Sequence, residues 1–294
     1  VQPWTRQVAD LAGSTHPGPT IVVTAVALAL GAAVGLDAGR LGILTLSVLL
    51  GQLSIGLSND AVDAGRDAQT GRTDKPLARP GAPVRTAMGL AVGAALLALA
   101  TSAVLGTALA LAHAVFLVCA WAYNLRLKAT VWSAACFLVG FGVFPSLAPL
   151  ALAEPRVAPA WAWVVGAALG LAVHFSNVLP DIDDDLRTGV RGLPHRIGRR
   201  ASACVAFGAL LVGAVAAMAG TALSRSAEVE AGDAVGAAAP ELAAVVAGGI
   251  VIAIAIFGLV VSLRGAPTRL AFRLVMIAAL VLAVQLVVTG WSVD

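Results

Sequence analysis

Charge is what this 294-residue chain has least of. Asp, Glu, Lys and Arg make up 12% of it, where a soluble domain carries about 25% to cover its surface. That shortage excludes an ordinary water-soluble globule and makes lipid the solvent. Cysteine is scarce too: Cys119, Cys136 and Cys204 are odd in number, lie in apolar runs and have no CxxC spacing. The pattern argues against a disulfide framework or a zinc site, and the three thiols read as packing residues. Aromatic residues are only 5%, thin for base stacking, and the basic residues form no nucleic-acid-binding tail. Nucleic acid is not an expected partner. The segment up to Pro19 is polar and lacks the charged-then-apolar pattern of a cleavable signal.

What is abundant is apolar sequence, 59% of the chain, with a mean hydropathy of +0.92. A helix needs about 20 apolar residues to cross a hydrocarbon core of about 30 Å. The stretch 87–125 carries no charge and a single histidine, His113. It is too long for one crossing and is expected to fold back around Leu105-Gly106-Thr107. Asp37 and Arg40 interrupt the first apolar stretch, and Glu154-Pro155-Arg156 end the one beginning near Val131. Spans are predicted near 20–38, 41–58, 86–104, 107–125, 131–153, 159–179, 201–220, 240–263 and 268–291. The expected fold class is all-α, a multi-pass transmembrane bundle of nine helices forming a single domain over 1–294. With the N-terminus in the cytoplasm, only Arg40, Arg156 and Arg225 of the 19 Lys and Arg residues fall outside. That bias sets the orientation and predicts an inner (plasma) membrane protein. The outer loop near 221–239 reads as acidic, rich in small residues and mobile.

The polar residues that remain are concentrated. At the end of the second predicted span the chain reads Asn59-Asp60-Ala61-Val62-Asp63-Ala64-Gly65-Arg66-Asp67. At the end of the sixth it reads Asn177-Val178-Leu179-Pro180-Asp181-Ile182-Asp183-Asp184-Asp185. Both contain Asn-x3-Asp-x3-Asp, 118 positions apart, and the same offset aligns Thr70-Gly71 with Thr188-Gly189. The shared register implies an internal repeat, with halves at roughly 20–125 and 131–291, whose facing would bring the motifs together. Residues four apart share a helix face, so Asn59, Asp63 and Asp67 form one stripe and Asn177, Asp181 and Asp185 another. Stacked carboxylates repel each other and require a cation. Oxygen-only ligands suit Mg²⁺, which takes few protein carboxylates and is completed by water and phosphate oxygens. Two facing stripes therefore point to a diphosphate bridged by metal. Arg72, Lys75, Arg126, Lys128 and Arg191 are candidates to neutralise the remaining phosphate charge. Asp60, Asp74, Asp183 and Asp184 read equally well as solvated loop acids. Pro180 lacks an amide donor and is expected to open the helix just before Asp181.

These motifs resemble the UbiA superfamily of intramembrane prenyltransferases. The likeness rests on Asn59-Asp60-x-x-Asp63-x-x-x-Asp67, on Arg72-Thr73-Asp74-Lys75-Pro76-Leu77 and on Asp181-x-x-x-Asp185. Tyr123-Asn124-x-x-Leu127-Lys128 is similar to the family's Tyr-Ser-x-x-Leu-Lys element after the fourth helix. Lys75 stands where many members have Arg, and Asn124 where serine is common. The resemblance implies an Mg²⁺-dependent enzyme that ionises an isoprenyl diphosphate, whose tail lies in an apolar tunnel. The prenyl group then passes to a small-molecule acceptor, aromatic or lipophilic, within the membrane. It further implies that Asp63, Asp67, Asp181 and Asp185 are catalytic and hold the metals with Asn59, Asn177 serving as a further ligand or orienter. Tyr123, Asn124, Lys128, and Arg72 or Lys75, would meet the substrate.

Gln52 lies two helical turns deeper than Asn59 on the same face, and His174 one turn before Asn177. Each fits either a place at the acceptor, including proton removal, or a hydrogen bond to a neighbouring helix. Two other readings compete with the transferase. A membrane terpene cyclase on the same scaffold would guide its cation with aromatic faces, for which Trp121, Tyr123, Trp132, Phe144 and Phe175 are the candidates. An ion-coupled transporter would need its acids near the bilayer midplane, whereas these sit at the membrane edge.

Overall fold

The computed structural model describes residues 3–71, 75–187, 189–230, 239–265 and 269–289, and every regular element among them is helical. Helix α1 (Trp4–Gly13) meets α2 (Pro17–Ala33) at a bend of 54°. Asp37 then starts α3 (Ala38–Gln69): its carboxylate accepts from the Gly39 amide at 2.9 Å and the Arg40 amide at 3.1 Å, satisfying two of the orphan donors of a helix start. The charges that interrupt the apolar pattern are thus the cap itself. At 32 residues and about 1.5 Å each, α3 outruns a core of about 30 Å, so its last turns stand beyond the apolar layer and carry the first motif.

Helices α4 (Val84–Leu105) and α5 (Thr107–Leu125) are joined by one residue, Gly106. Its backbone (φ 151°, ψ 154°) lies in a region essentially reserved for glycine, which is how a charge-free apolar run reverses so tightly. Helix α6 (Ser133–Val143) gives way to tight turns at Phe144–Leu147 and Pro149–Ala151. The expected crossing at 131–153 is therefore not one uninterrupted helix, because Pro145 and Pro149 each remove an amide donor. Helices α7 (Ala160–Val178), α8 (Ile182–Arg187), α9 (Leu193–Glu230), α10 (Ala239–Arg264) and α11 (Arg269–Thr289) complete the chain. α9 is kinked at Gly198 and continues through 221–230, which had been expected to be loop, while 231–238 lie outside the described residues. Among the described residues, seven helices are long and apolar enough to cross a membrane, or eight if the bent α1–α2 pair counts as one span. The expected nine is met only if the shorter α6 is added.

The second stripe departs from a straight helix. Asn177 lies in α7, Leu179–Asp181 is a 3₁₀ turn and Asp185 lies in α8. Pro180 accounts for the break. Gly71 (φ 68°) and Gly189 (φ 81°), at matching places after the two motifs, both take the left-handed conformation.

Packing closes the helices into a ring. α2 packs on α3, α3 on α4, α4 on α5, α5 on α6, α6 on α7, α7 on α9, α9 on α10, α10 on α11, and α11 back on α2. One apolar cluster joins α7, α9, α10 and α11 around Phe175, Phe207, Leu210 and Leu282. Another joins α2, α3, α5 and the turns after α6 around Leu44, Leu109 and Leu147. What the ring surrounds is a chamber.

Candidate active site

The chamber has a volume of about 360 Å³ and is lined from α2, α3, α5, α6, α7, α8, α9 and α11 and the turns between them. Its polar end is built first from α3. Asn59, Asp63, Asp67 and Arg66 line it, with Asp63 and Asp67 buried. Arg66 pairs with Asp63 at 3.1 Å and lies 3.9 Å from Asp67, so a cation placed inside the motif offsets the repulsion within the stripe. The opposite wall supplies Asn177, Asp181 and Asp185. The two motifs, remote in sequence, thus share one cavity.

Lys128, on the turn Leu127–Ala129, reaches over from the end of α5 and pairs with Asp63. Burial pulls its ammonium below the usual lysine range, and the Asp63 carboxylate opposes that shift. Lys75 lines the same end, and its ammonium donates a hydrogen bond to Asp60 Oδ1 at 2.7 Å. His16 Nε2 meets that same oxygen at 2.8 Å. Asp60 is therefore a buried partner of two basic groups, not a solvated loop acid. Asp183 does stay exposed, paired with Arg199.

Asn124 lines the chamber with every polar atom committed to α3. Its amide nitrogen donates to the Ile55 carbonyl and the Ser58 hydroxyl, and its oxygen accepts from Asn59, all at 3.0 Å. It positions Asn59. Tyr123 and Gln52 line the chamber as well. His174 does not: it is buried behind Tyr123, stacked on Phe137 at 4.8 Å, with Nε2 3.2 Å from the Ser133 hydroxyl. Of its two expected readings, the hydrogen bond to a neighbouring helix is the one observed. Arg126 and Arg191 are exposed and do not line the cavity, and Arg72 lies outside the described residues.

Several lining residues were not singled out as site candidates in the sequence. His195, fully packed, sets Nε2 3.1 Å from Asp185 Oδ2. His16 and Arg269 complete the basic rim. Below the rim the wall turns aromatic, with Phe116, Phe137, Phe141, Trp161 and Phe272 joining Tyr123 and Phe144. Of the other aromatics expected near the site, Trp121 donates to Ser54, Trp132 is exposed and Phe175 sits in the apolar core. None of those three lines the chamber.

Chemically, one end offers hard oxygen ligands and fixed cations, and the rest is apolar and aromatic. Among the described residues no three His, Cys, Asp or Glu side chains stand close enough to hold an ion by themselves.

A polytopic helical membrane protein with an acidic and basic mouth over an apolar chamber is the class that fold and cavity define. Residues 20–239 match the UbiA prenyltransferase family, and the chain belongs to that family. Solved structures agree on the fold. A UbiA homologue from Archaeoglobus fulgidus bound to GPP and Mg²⁺ is 15% identical with a TM-score of 0.71, over 96% of this chain and 98% of that one. A UbiA homologue from Aeropyrum pernix K1 is 16% identical with a TM-score of 0.70, over 92% and 96%. A digeranylgeranylglyceryl phosphate synthase is 11% identical with a TM-score of 0.65, over 97% and 98%. No curated protein sequence matches the chain.

Proposed function

We propose that the chain is an Mg²⁺-dependent prenyltransferase that ionises an isoprenyl diphosphate at the polar end of the chamber and passes the prenyl group to a lipophilic or aromatic acceptor. The observation supporting this is that Asn59, Asp63 and Asp67 line the same cavity as Asn177, Asp181 and Asp185. The Archaeoglobus fulgidus homologue, which binds GPP and Mg²⁺, adds weight. Asp63, Asp67, Asp181 and Asp185, with Asn59 and Asn177, would hold Mg²⁺, which when bound supplies Lewis-acid charge to the departing diphosphate. Lys128 and Arg66 add fixed positive charge where negative charge grows, and need no reorganisation to do so. Their carboxylate partners keep both side chains aimed until the phosphates arrive. The apolar wall below excludes water from the allylic cation left as the C1–O bond breaks. Gln52, which lines the chamber, would orient the acceptor.

A second reading, terpene cyclisation, is favoured by the aromatic lining, since Phe116, Phe137, Phe141 and Phe272 present ring faces and edges to a migrating cation. One experiment separates the two. Purified protein is incubated with Mg²⁺, prenyl diphosphates of graded length and lipid extract, and the products are identified by mass spectrometry. A prenylated acceptor supports the transferase, a cyclic hydrocarbon with free diphosphate supports the cyclase, and intact substrate sinks both.

The orientation of the chamber mouth toward the cytoplasm, in an inner (plasma) membrane, follows from the Lys and Arg bias and belongs to this proposal. So does the two-half repeat, which the matching glycines Gly71 and Gly189 support.

A further inference from the structure

The end of the chamber remote from the polar mouth is lined by Leu30 of α2, Pro145 of the turn after α6, Trp161 of α7 and Leu286 of α11. Trp161 is the largest of these and stands at the first turn of α7, while Asn177 and Val178 at the last turn border the polar mouth. Its indole lies directly on Gly220 of α9. A Cβ built at Gly220 would come within 2.1 Å of the ring, so only glycine lets the ring sit back out of the cavity. Trp161 also packs against both apolar clusters of the protein. A ring held by two clusters and a glycine seat cannot swing aside without unpacking both, so it forms a floor rather than a gate.

The depth above that floor follows from helix geometry. From Trp161 to Asn177 along α7 the wall rises about 24 Å, at about 1.5 Å per residue. The lining from Arg269 to Leu286 on α11 has a similar extent. An extended isoprene unit has four chain bonds of about 1.5 Å and spans about 5 Å. Subtracting the turn filled by the indole leaves room for about four units. Resting on the diphosphate reading given above, we propose that Trp161, seated on Gly220, is the specificity-determining residue that limits the prenyl tail to about four isoprene units, a C20 diphosphate class. Shorter tails leave apolar wall exposed and lose burial, and longer tails must curl or displace the ring.

The test is equilibrium binding of prenyl diphosphates of graded length to the purified, detergent-solubilised protein with Mg²⁺, which needs no acceptor. Affinity is expected to rise with each added unit up to about four and then to fall at least tenfold at the next. Trp161→Ala is expected to move that break to longer tails. Gly220→Ala, which pushes the ring into the chamber, is expected to move it to shorter ones. Trp161→Leu serves as the enlarging variant if the alanine variant does not fold, and Trp161→Phe, which keeps a smaller ring at the floor, should move the break less than alanine does. A break that stays put in the enlarging and Gly220 variants, or affinity that climbs without a break, overturns the floor while leaving the diphosphate site standing. Failure to bind any tail length, with or without Mg²⁺, overturns the diphosphate reading and the floor with it.

Discussion

Asn124 shows how a residue can support a site through its neighbours. Its three hydrogen bonds all run to α3, and one of them fixes Asn59. Asn124→Ala strands buried partners and is expected to lower stability by about 1–3 kcal/mol while weakening prenyl diphosphate binding only modestly. Thermal unfolding and ligand titration of the same variant check this. Lost binding with unchanged stability would make Asn124 a direct substrate contact instead. The residue scale is also where sequence spacing carries least. Asn59, Asp63 and Asp67 are legible because a helix turns their spacing into one face. His16 meets Asp60 only because the α1–α2 bend delivers it from 44 positions away, and no local pattern encodes that. Lys75 was expected at the diphosphate from its charge and from the resemblance; it does line the chamber, and its pairing with Asp60 is what spacing alone did not show.

Elements follow the same logic one level up. The break at Asp37 and the reversal at Gly106 were legible because charge and glycine interrupt an apolar run for stated physical reasons, whereas the capping role of Asp37 came only with the structure. Gly106→Ala is expected to destabilise the protein by about 1–3 kcal/mol, the cost of holding a residue with a Cβ in that backbone region. Prenyl diphosphate affinity should not change, since Gly106 does not line the chamber. Melting temperature and titration together read both parts, and a variant as stable as the parent contradicts the conformational argument. The aromatic wall was not legible. Phe116, Phe137 and Phe141 look like ordinary residues of apolar spans, and which span face meets the chamber depends on how α5, α6 and α7 close the ring. A strongly apolar helix gives its faces too little contrast for sequence to choose among them.

The whole molecule is a ring of helices with a polar mouth at one side of the membrane. The proposed orientation predicts that a cysteine at Ser226, in a cysteine-free background, reacts with an impermeant thiol reagent on intact cells. One at Gln69, just after the first motif, should react only after permeabilisation. The reverse pattern would turn the mouth outward, away from the cytoplasm.

The central claim is that two motifs 118 positions apart act as one diphosphate site, and single-ligand removal tests it most directly. Asp63→Ala on α3 and Asp181→Ala after α7 should each retain the parent's gel-filtration profile and helical circular dichroism. Each should lower Mg²⁺-dependent release of diphosphate from a prenyl diphosphate by about a thousandfold or more, a loss of several kcal/mol of transition-state stabilisation. Full activity in either folded variant would mean that its motif stands apart from the chemistry and that the chamber is not a shared site.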